Sequence, residues 1–238
     1  MIKIYTCDDD FEFLEKTKSY ISAYLSQSNF SDFECEVTGF NNPENAMVEI
    51  EKEKPDIVFL DIDMPKINGF NIAGEINRRS DDTLIIFVTN YDNYVYTSIK
   101  YRPFRFIRKS KISVEIKEAL RSALNEIIYK NKYLELGVKY FNEKIFLSDV
   151  IYIESKRNYA ELNSTNGEKY KYRSALSKLE DELKSYDFVR IHAGYLVNMR
   201  HIHLIKDDII TLSNGEQLNI SRRLHKSVLE QYREYMRR

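Results

Sequence analysis

The chain has 238 residues and is short of several things. It carries only two cysteines, Cys7 and Cys35, too few for a disulfide framework and without the spacing of a metal-binding pair. That fits a reducing compartment. No apolar run approaches the ~20 residues that a membrane-spanning helix needs. The first ten residues, MIKIYTCDDD, turn acidic almost at once and lack the basic-then-apolar layout of a secretory signal. Repeats and low-complexity segments are missing as well. What is left is 43% hydrophobic and 31% charged, enough for real cores, so disorder is excluded as the main state. The expectation is a soluble, cytoplasmic protein without membrane attachment, built as one large or two ordinary domains.

The net charge of −1 is an average over two unlike halves. Residues 1–125 carry a net −5 and residues 126–238 a net +4. An acidic half suits metal or phosphoryl chemistry; a basic half suits a polyanion. Patterning changes at the same place. The first half alternates short apolar runs with amphipathic stretches: Lys3–Thr6, Cys35–Phe40, Ile57–Leu60, Leu84–Val88 and Arg105–Ile107 read as strands, separated by helical spacing. Five such units predict an α/β domain, an open doubly wound parallel sheet of five strands. The second half is mainly β, with Lys144–Ile153 reading as one strand and further short strands punctuated by Asn166-Gly167 and Asn214-Gly215, the strongest short hairpin signal. Only Ala175–Lys184 and Leu224–Tyr235 read as helices there, and a long helix near 113–133 reads as the connector. The expected division is 1–125, a linker over 126–137, and 138–238.

In an open α/β sheet, ligands bind beyond the carboxyl ends of the strands. Asp8, Asp9 and Asp10 follow the first strand, Asp61 follows the third, Thr89 ends the fourth and Lys109 follows the fifth. Crowded carboxylates stay ionised together only if a cation joins them, and few hard oxygen ligands suit Mg²⁺. A carboxylate so placed can also act as a nucleophile toward phosphorus. Asp10 reads instead as the cap of the first helix.

This set of Asp8-Asp9, Asp61 with Pro65 and Gly69 behind it, Thr89 and Lys109 resembles a two-component response-regulator receiver domain. The resemblance implies Asp61 as phosphoacceptor, supplied by a sensor histidine kinase. It implies Mg²⁺ held by Asp9 and Asp61, by Asp8 through water, and by the main-chain carbonyl of Asp63. Thr89 and Lys109 would grip the phosphoryl group, and Phe106 would hold the aromatic switch position. Ser110 departs from the pattern, since proline normally follows the lysine.

The segments DVIYIESKRNYAEL (149–162), FVRIHAGYLVNMRHI (188–202) and ITLSNGEQLNISRRL (210–224) resemble the LytTR family of DNA-binding domains. That likeness implies about ten strands in small sheets, with loops entering successive major grooves. It carries base-reading roles to Asn158, Asn198 and Arg222. Arg can bind guanine bidentately and Asn can bind adenine, while further cations neutralise phosphates; Lys156, Arg157, Arg200 and Arg223 fall in that phosphate or mixed class. His192 and Tyr195 read as packing or hydrogen-bonding residues.

The chain therefore reads as a phosphorylation-controlled, DNA-binding transcriptional regulator rather than an enzyme. Phosphorylation would favour a homodimer on double-stranded promoter DNA with direct repeats. The expected dimer face is 89–109, with Arg102, Arg105 and Arg108 beside exposed Tyr91, Tyr94 and Tyr101. Two alternatives stand: an Mg²⁺-dependent phosphatase or hydrolase using Asp61 and Asp63, and an adaptor whose β module binds RNA or protein.

Overall fold

The computed structural model describes residues 1–27, 30, 33–79, 82–91, 94–138 and 141–237. It divides into two compact units, Met1–Ile127 and Ile128–Arg238. The division falls two residues beyond the expected first boundary. The expected linker is regular structure, helical to Asn131 and a strand from Tyr133.

In the first unit, β1 (Ile2–Cys7), β2 (Cys35–Phe40), β3 (Ile57–Leu60), β4 (Leu84–Thr89) and β5 (Arg105–Arg108) form one parallel sheet in the order β2-β1-β3-β4-β5. Every residue of β3 (IVFL) and β4 (LIIFVT) is buried. Helices cover both faces of such a strand, so its sequence is a continuous apolar run. The helices are α1 (Phe11–Gln27), α2 (Pro43–Glu53), α3 (Gly69–Arg79), the short α4 (Tyr94–Ser98) and α5 (Ile112–Asn131). One core gathers Ile21, Ile116, Leu120 and Leu124 against Ile4, Phe59 and Ile86; the other gathers Ala46, Ile50, Ile72 and Ile76 against Val58, Leu60 and Phe87.

Local chemistry starts the helices. Asn42 caps α2, its Oδ1 accepting the Glu44 and Asn45 N–H groups at 2.8 and 3.2 Å, with Pro43 at the first helical position. Asp10 caps α1 in the same way, accepting from Glu12 and Phe13 at 3.0 and 3.2 Å. Its carboxylate is thus occupied in the role expected for it.

The second unit begins with the hairpin β6 (Tyr133–Val138) and β7 (Phe141–Phe146). A five-stranded antiparallel sheet follows, in the order β10-β9-β8-β12-β11, from β8 (Val150–Lys156), β9 (Tyr159–Ser164), β10 (Lys169–Tyr172), β11 (Phe188–His192) and β12 (Tyr195–Asn198). A three-stranded sheet of β13 (Ile202–Lys206), β14 (Ile209–Leu212) and β15 (Gln217–Asn219) completes ten strands. The helix α6 (Leu176–Leu183) packs Leu176, Leu179 and Leu183 with Ile153, Ala160, Leu162 and Leu196. The other apolar cluster joins Ile151, Val189 and Val197 to Ile210, Leu212 and Val228, the last on α7 (His225–Met236).

Both Asn-Gly pairs turn hairpins. Gly167 and Gly215 take φ of 81° and 85°, a region that favours glycine, and nothing else crowds them. On the outer strand β10, Lys169 and Lys171 are exposed and alternate with Tyr170 and Tyr172. Two expectations shift. The long helix ends at Asn131 because Tyr133 is drawn into pairing with Phe146, their rings 6.0 Å apart. The expected strand over 144–153 is split by a turn at Leu147–Asp149, where the Leu147 side chain is fully buried.

Candidate phosphoacceptor site and nucleic-acid interface

The acidic site follows from the register of the first sheet. β1 and β3 are neighbours, and the Asp61 N–H donates to the Cys7 carbonyl at 2.9 Å, so the residues following the two strands meet. Asp8 and Asp61 are buried and Asp9 is exposed; one carboxylate oxygen of each lies within 4.8 Å of the others. Lys109 follows β5 and reaches between them, its Nζ 2.6 Å from Asp8 Oδ2 and 2.7 Å from Asp61 Oδ2. The ammonium also lies 4.6 Å from the centre of the Phe13 ring. Ser110 therefore does not prevent Lys109 from reaching the carboxylates.

Burial pushes the Asp8 carboxyl up to about 6, although Lys109 draws it down. Burial also works against the charge of Lys109, but its hydrogen bonds to Asp61 and Asp8 outweigh that and its pKa is raised. Burial holds the Cys7 thiol, whose Sγ is 3.6 Å from Met64 Sδ beneath the site, at about 12. It is a packed side chain.

Close backbone approach completes the pocket. The Gly69 N–H donates to the Ile62 carbonyl at 3.0 Å, and a Cβ on Gly69 would lie 2.1 Å from the Asp61 carbonyl oxygen. Only glycine fits there. Asp63 is exposed, and its N–H approaches Asp61 Oδ1 at 3.4 Å. Thr89 is buried at the end of β4, its hydroxyl 3.4 Å from the Tyr91 N–H. Phe106, opposite Phe87 in β5, is half-buried against the second core cluster.

With three carboxylates and one ammonium, the pocket has a formal charge of −2. A divalent cation balances that charge, and oxygen-only donors with solvent access at Asp9 match the preference of Mg²⁺. The donor set fits the ion.

The expected dimer face is only partly as read from sequence. Tyr91 and Tyr96 are exposed, as are Ile99, Arg102 and Arg108. Tyr101 is not: it stacks on Phe70 at 4.9 Å with 10° between planes, and Asn77 donates its side-chain amide to the Tyr101 carbonyl. Tyr94 meets the same Phe70 ring edge-on at 5.7 Å. The aromatic α3 start takes both rings inward.

In the second unit, the three expected reading loops do not share an end. The turn Lys156-Arg157-Asn158 closes β8–β9, with Arg157 and Asn158 exposed; Lys156 pairs with Glu154 at 2.7 Å. Arg222 and Arg223 are exposed in the turn before α7. Between them lies the β11–β12 turn: Ser155 N–H donates to the Gly194 carbonyl and Ser221 N–H to the Ile191 carbonyl, each at 2.9 Å. Asn198 ends β12 at the opposite edge, beside Val150 at the start of β8, about 20 Å away along that seven-residue strand.

The base-reading role of Asn198 is therefore corrected. Its side chain is fully buried. Nδ2 donates to Tyr129 Oη at 2.8 Å, Val150 O at 2.8 Å and Leu147 O at 3.2 Å, and Oδ1 accepts the Arg200 N–H at 3.1 Å. No polar atom is left for a base. Arg200 is corrected with it: its guanidinium stacks 3.7 Å from the centre of the Tyr129 ring, and Nε pairs with Asp187 at 3.2 Å. An amide followed by cations looks the same in sequence whether it faces solvent or fastens a core.

His192 has the hydrogen-bonding role read from sequence. It is exposed, and its Nδ1 accepts the Gly194 N–H at 3.1 Å. Arg190 clamps the turn from below, donating to the His192 and Ala193 carbonyls at 2.6 and 2.5 Å.

Fold and sites together define a receiver domain joined to a β-type DNA-binding module. Comparison agrees: a response regulator receiver model matches residues 4–121, and a LytTr DNA-binding domain model matches residues 142–233. An uncharacterised response regulatory protein of Yersinia pestis is 30% identical over 206 residues, covering 80% of this chain and 84% of that one. The transcriptional regulatory protein BtsR of Escherichia coli is 25% identical, covering 97% and 98% of the two chains. The sensory transduction protein LytT of Bacillus subtilis is 23% identical, covering 96% and 98%. The chain belongs to the response regulators that carry a LytTr DNA-binding domain, and it is a regulator, not an enzyme. The hydrolase alternative is set aside. Among the described residues no helix is long and apolar enough to cross a membrane.

Proposed function

We propose that Asp61 accepts a phosphoryl group from a sensor histidine kinase and that this controls binding of the second unit to promoter DNA. The observation that carries the reading is Lys109 Nζ held 2.6 and 2.7 Å from Asp8 and Asp61, with Asp9 beside them. An Mg²⁺ ion on Asp8, Asp9, Asp61 and the Asp63 main-chain carbonyl would neutralise phosphoryl oxygens. An Asp61 carboxylate oxygen attacks phosphorus, the bond from phosphorus to the kinase imidazole breaks, and the imidazole keeps that electron pair. Lys109 then exchanges its Asp61 contact for a phosphoryl oxygen, and the Thr89 hydroxyl supplies another donor. Phe106, on the strand preceding Lys109, follows that rearrangement.

The phosphorylated form would pair through the exposed Tyr91, Tyr96, Ile99, Arg102 and Arg108, since aromatic residues and arginine are enriched at interfaces. Two modules then bind repeated half-sites with added avidity. Arg157, Asn158, Arg222 and Arg223 face the duplex with Lys156 at the edge, and His192 occupies the middle turn. A good bidentate contact contributes roughly 1–3 kcal/mol of discrimination. These loops offer cations and amides rather than the stacking platforms of single-strand RNA readers.

Acetyl phosphate with Mg²⁺ should add one phosphoryl group per chain to the wild-type protein and none to Asp61→Asn, read by intact-mass spectrometry. Equal labelling of the two would sink the assignment. Genomic footprinting with and without the phosphodonor should recover duplex sites whose occupancy rises on phosphorylation.

A further inference from the structure

We infer that Tyr129 is a positioning residue for DNA recognition, acting through Asn198 and strand β12 on the His192–Gly194 turn. The inference rests on the reading of the preceding section. Residues of α5 up to Ile127 belong to the receiver core, whereas Tyr129, one half-turn on, is buried in the core of the second unit. Whatever displaces the helix reaches the module first at this side chain, by covalent continuity alone.

Tyr129 is built into a network. Its hydroxyl accepts from Asn198 Nδ2 at 2.8 Å and donates to the Leu147 carbonyl at 3.2 Å. The Arg200 guanidinium carbon lies 3.7 Å from the centre of its ring, held by Asp187, whose carbonyl also accepts the Met199 N–H at 2.8 Å. The network therefore grips the last residue of β12 and the two that follow.

Hydrogen-bond arithmetic allows it to move. The Asn198 amide has two protons for three acceptors, namely Tyr129 Oη, Leu147 O and Val150 O. One contact is surplus, so Asn198 remains satisfied on two carbonyls when Tyr129 withdraws. The Asn198 amide thus stays hydrogen-bonded in either arrangement and sets no penalty of its own against the second one. β12 is the path to the DNA side. It is only four residues long, paired on both edges, and its first residue follows the 192–194 turn directly. A shift of Asn198 along this short extended segment is passed to Tyr195, which pairs with His192 across the turn.

The test uses the full chain and a duplex recovered by footprinting with it. Affinity is measured with and without acetyl phosphate and Mg²⁺, and the ratio is the readout. We expect a ratio of about 5-fold or more for the wild type, the lower range of allosteric coupling. Tyr129→Phe keeps the ring under Arg200 and removes only the hydroxyl; it should bring the ratio below about 2-fold while phosphoryl uptake is unchanged. Arg200→Lys, which removes the stack but keeps the charge, should act in the same direction. A purely structural Tyr129 would lower both affinities by one factor and leave the ratio intact; that result in both variants overturns the proposal. A wild-type ratio of one would overturn the switch reading and this proposal together, whereas a responsive wild type with responsive variants overturns this proposal alone.

Discussion

Two glycines of helix α3 offer a controlled experiment on close packing beside Asp61. At Gly69 an added Cβ would stand 2.1 Å from the Asp61 carbonyl oxygen and 3.0 Å from its carbonyl carbon, and both are backbone atoms that cannot rotate aside. Restoring a tolerable contact requires the helix start to retreat by about 1 Å. Overpacking of that kind costs about 1–3 kcal/mol. The Gly69–Ile62 hydrogen bond, 3.0 Å in the native chain, would be stretched and lose roughly 1 kcal/mol more. Gly69→Ala should therefore destabilise the first unit by about 2–4 kcal/mol, a fall in its thermal midpoint of roughly 6–15 °C for a unit of this size. Gly74 provides the contrast within the same helix, since its added Cβ would meet Tyr101 Cε1 at 3.5 Å, an ordinary contact. Gly74→Ala should be neutral or stabilising by up to about 1 kcal/mol, from helix propensity alone. Thermal and urea unfolding of the full chain, followed by circular dichroism, measure both. Equal midpoints for the two variants would refute the close-approach argument. Because the same clash presses on the Asp61 main chain, Gly69→Ala should lower phosphoryl uptake while Gly74→Ala keeps it.

Asn198→Ala should destabilise the second unit by about 2–3 kcal/mol through unsatisfied carbonyls, with base preference on footprinted DNA unchanged; altered base preference at constant stability would restore the reading role. Arg157→Ala and Arg223→Ala should each lower the slope of log affinity against log salt by about 1, and unchanged slopes would remove those residues from the phosphate contacts. Burial holds the Tyr129 phenol at about 12, above its ordinary value near 10. The folded form thus keeps a proton that the unfolded chain releases, and the second unit loses stability as pH rises from about 10 to 12. Tyr129→Phe should move its alkaline unfolding midpoint upward; no movement would show that the phenol does not contribute.

The receiver half was legible because its signals are local and redundant. IVFL and LIIFVT are short, β-branched apolar runs between helical stretches, the pattern of strands buried on both faces, and parallel order then puts Asp8, Asp61, Thr89 and Lys109 on one edge. The second half was legible in its turns, where Asn-Gly admits few conformations, and less so elsewhere. Asn198 was misplaced because nothing in residue type tells which end of a strand faces solvent. That depends on β12 pairing with β8 in an antiparallel register, a contact some forty residues apart in the chain. Tyr94 and Tyr101 were misjudged as surface residues because Phe70, the ring that covers them, lies on another helix.

The outer strand β10 has a consequence for life at high local density. Its exposed lysines alternate along an edge whose backbone groups could otherwise template another copy's sheet. Wherever copies of the chain are held close together, like charges repel edge against edge, and the sheets are kept from knitting into a fibre.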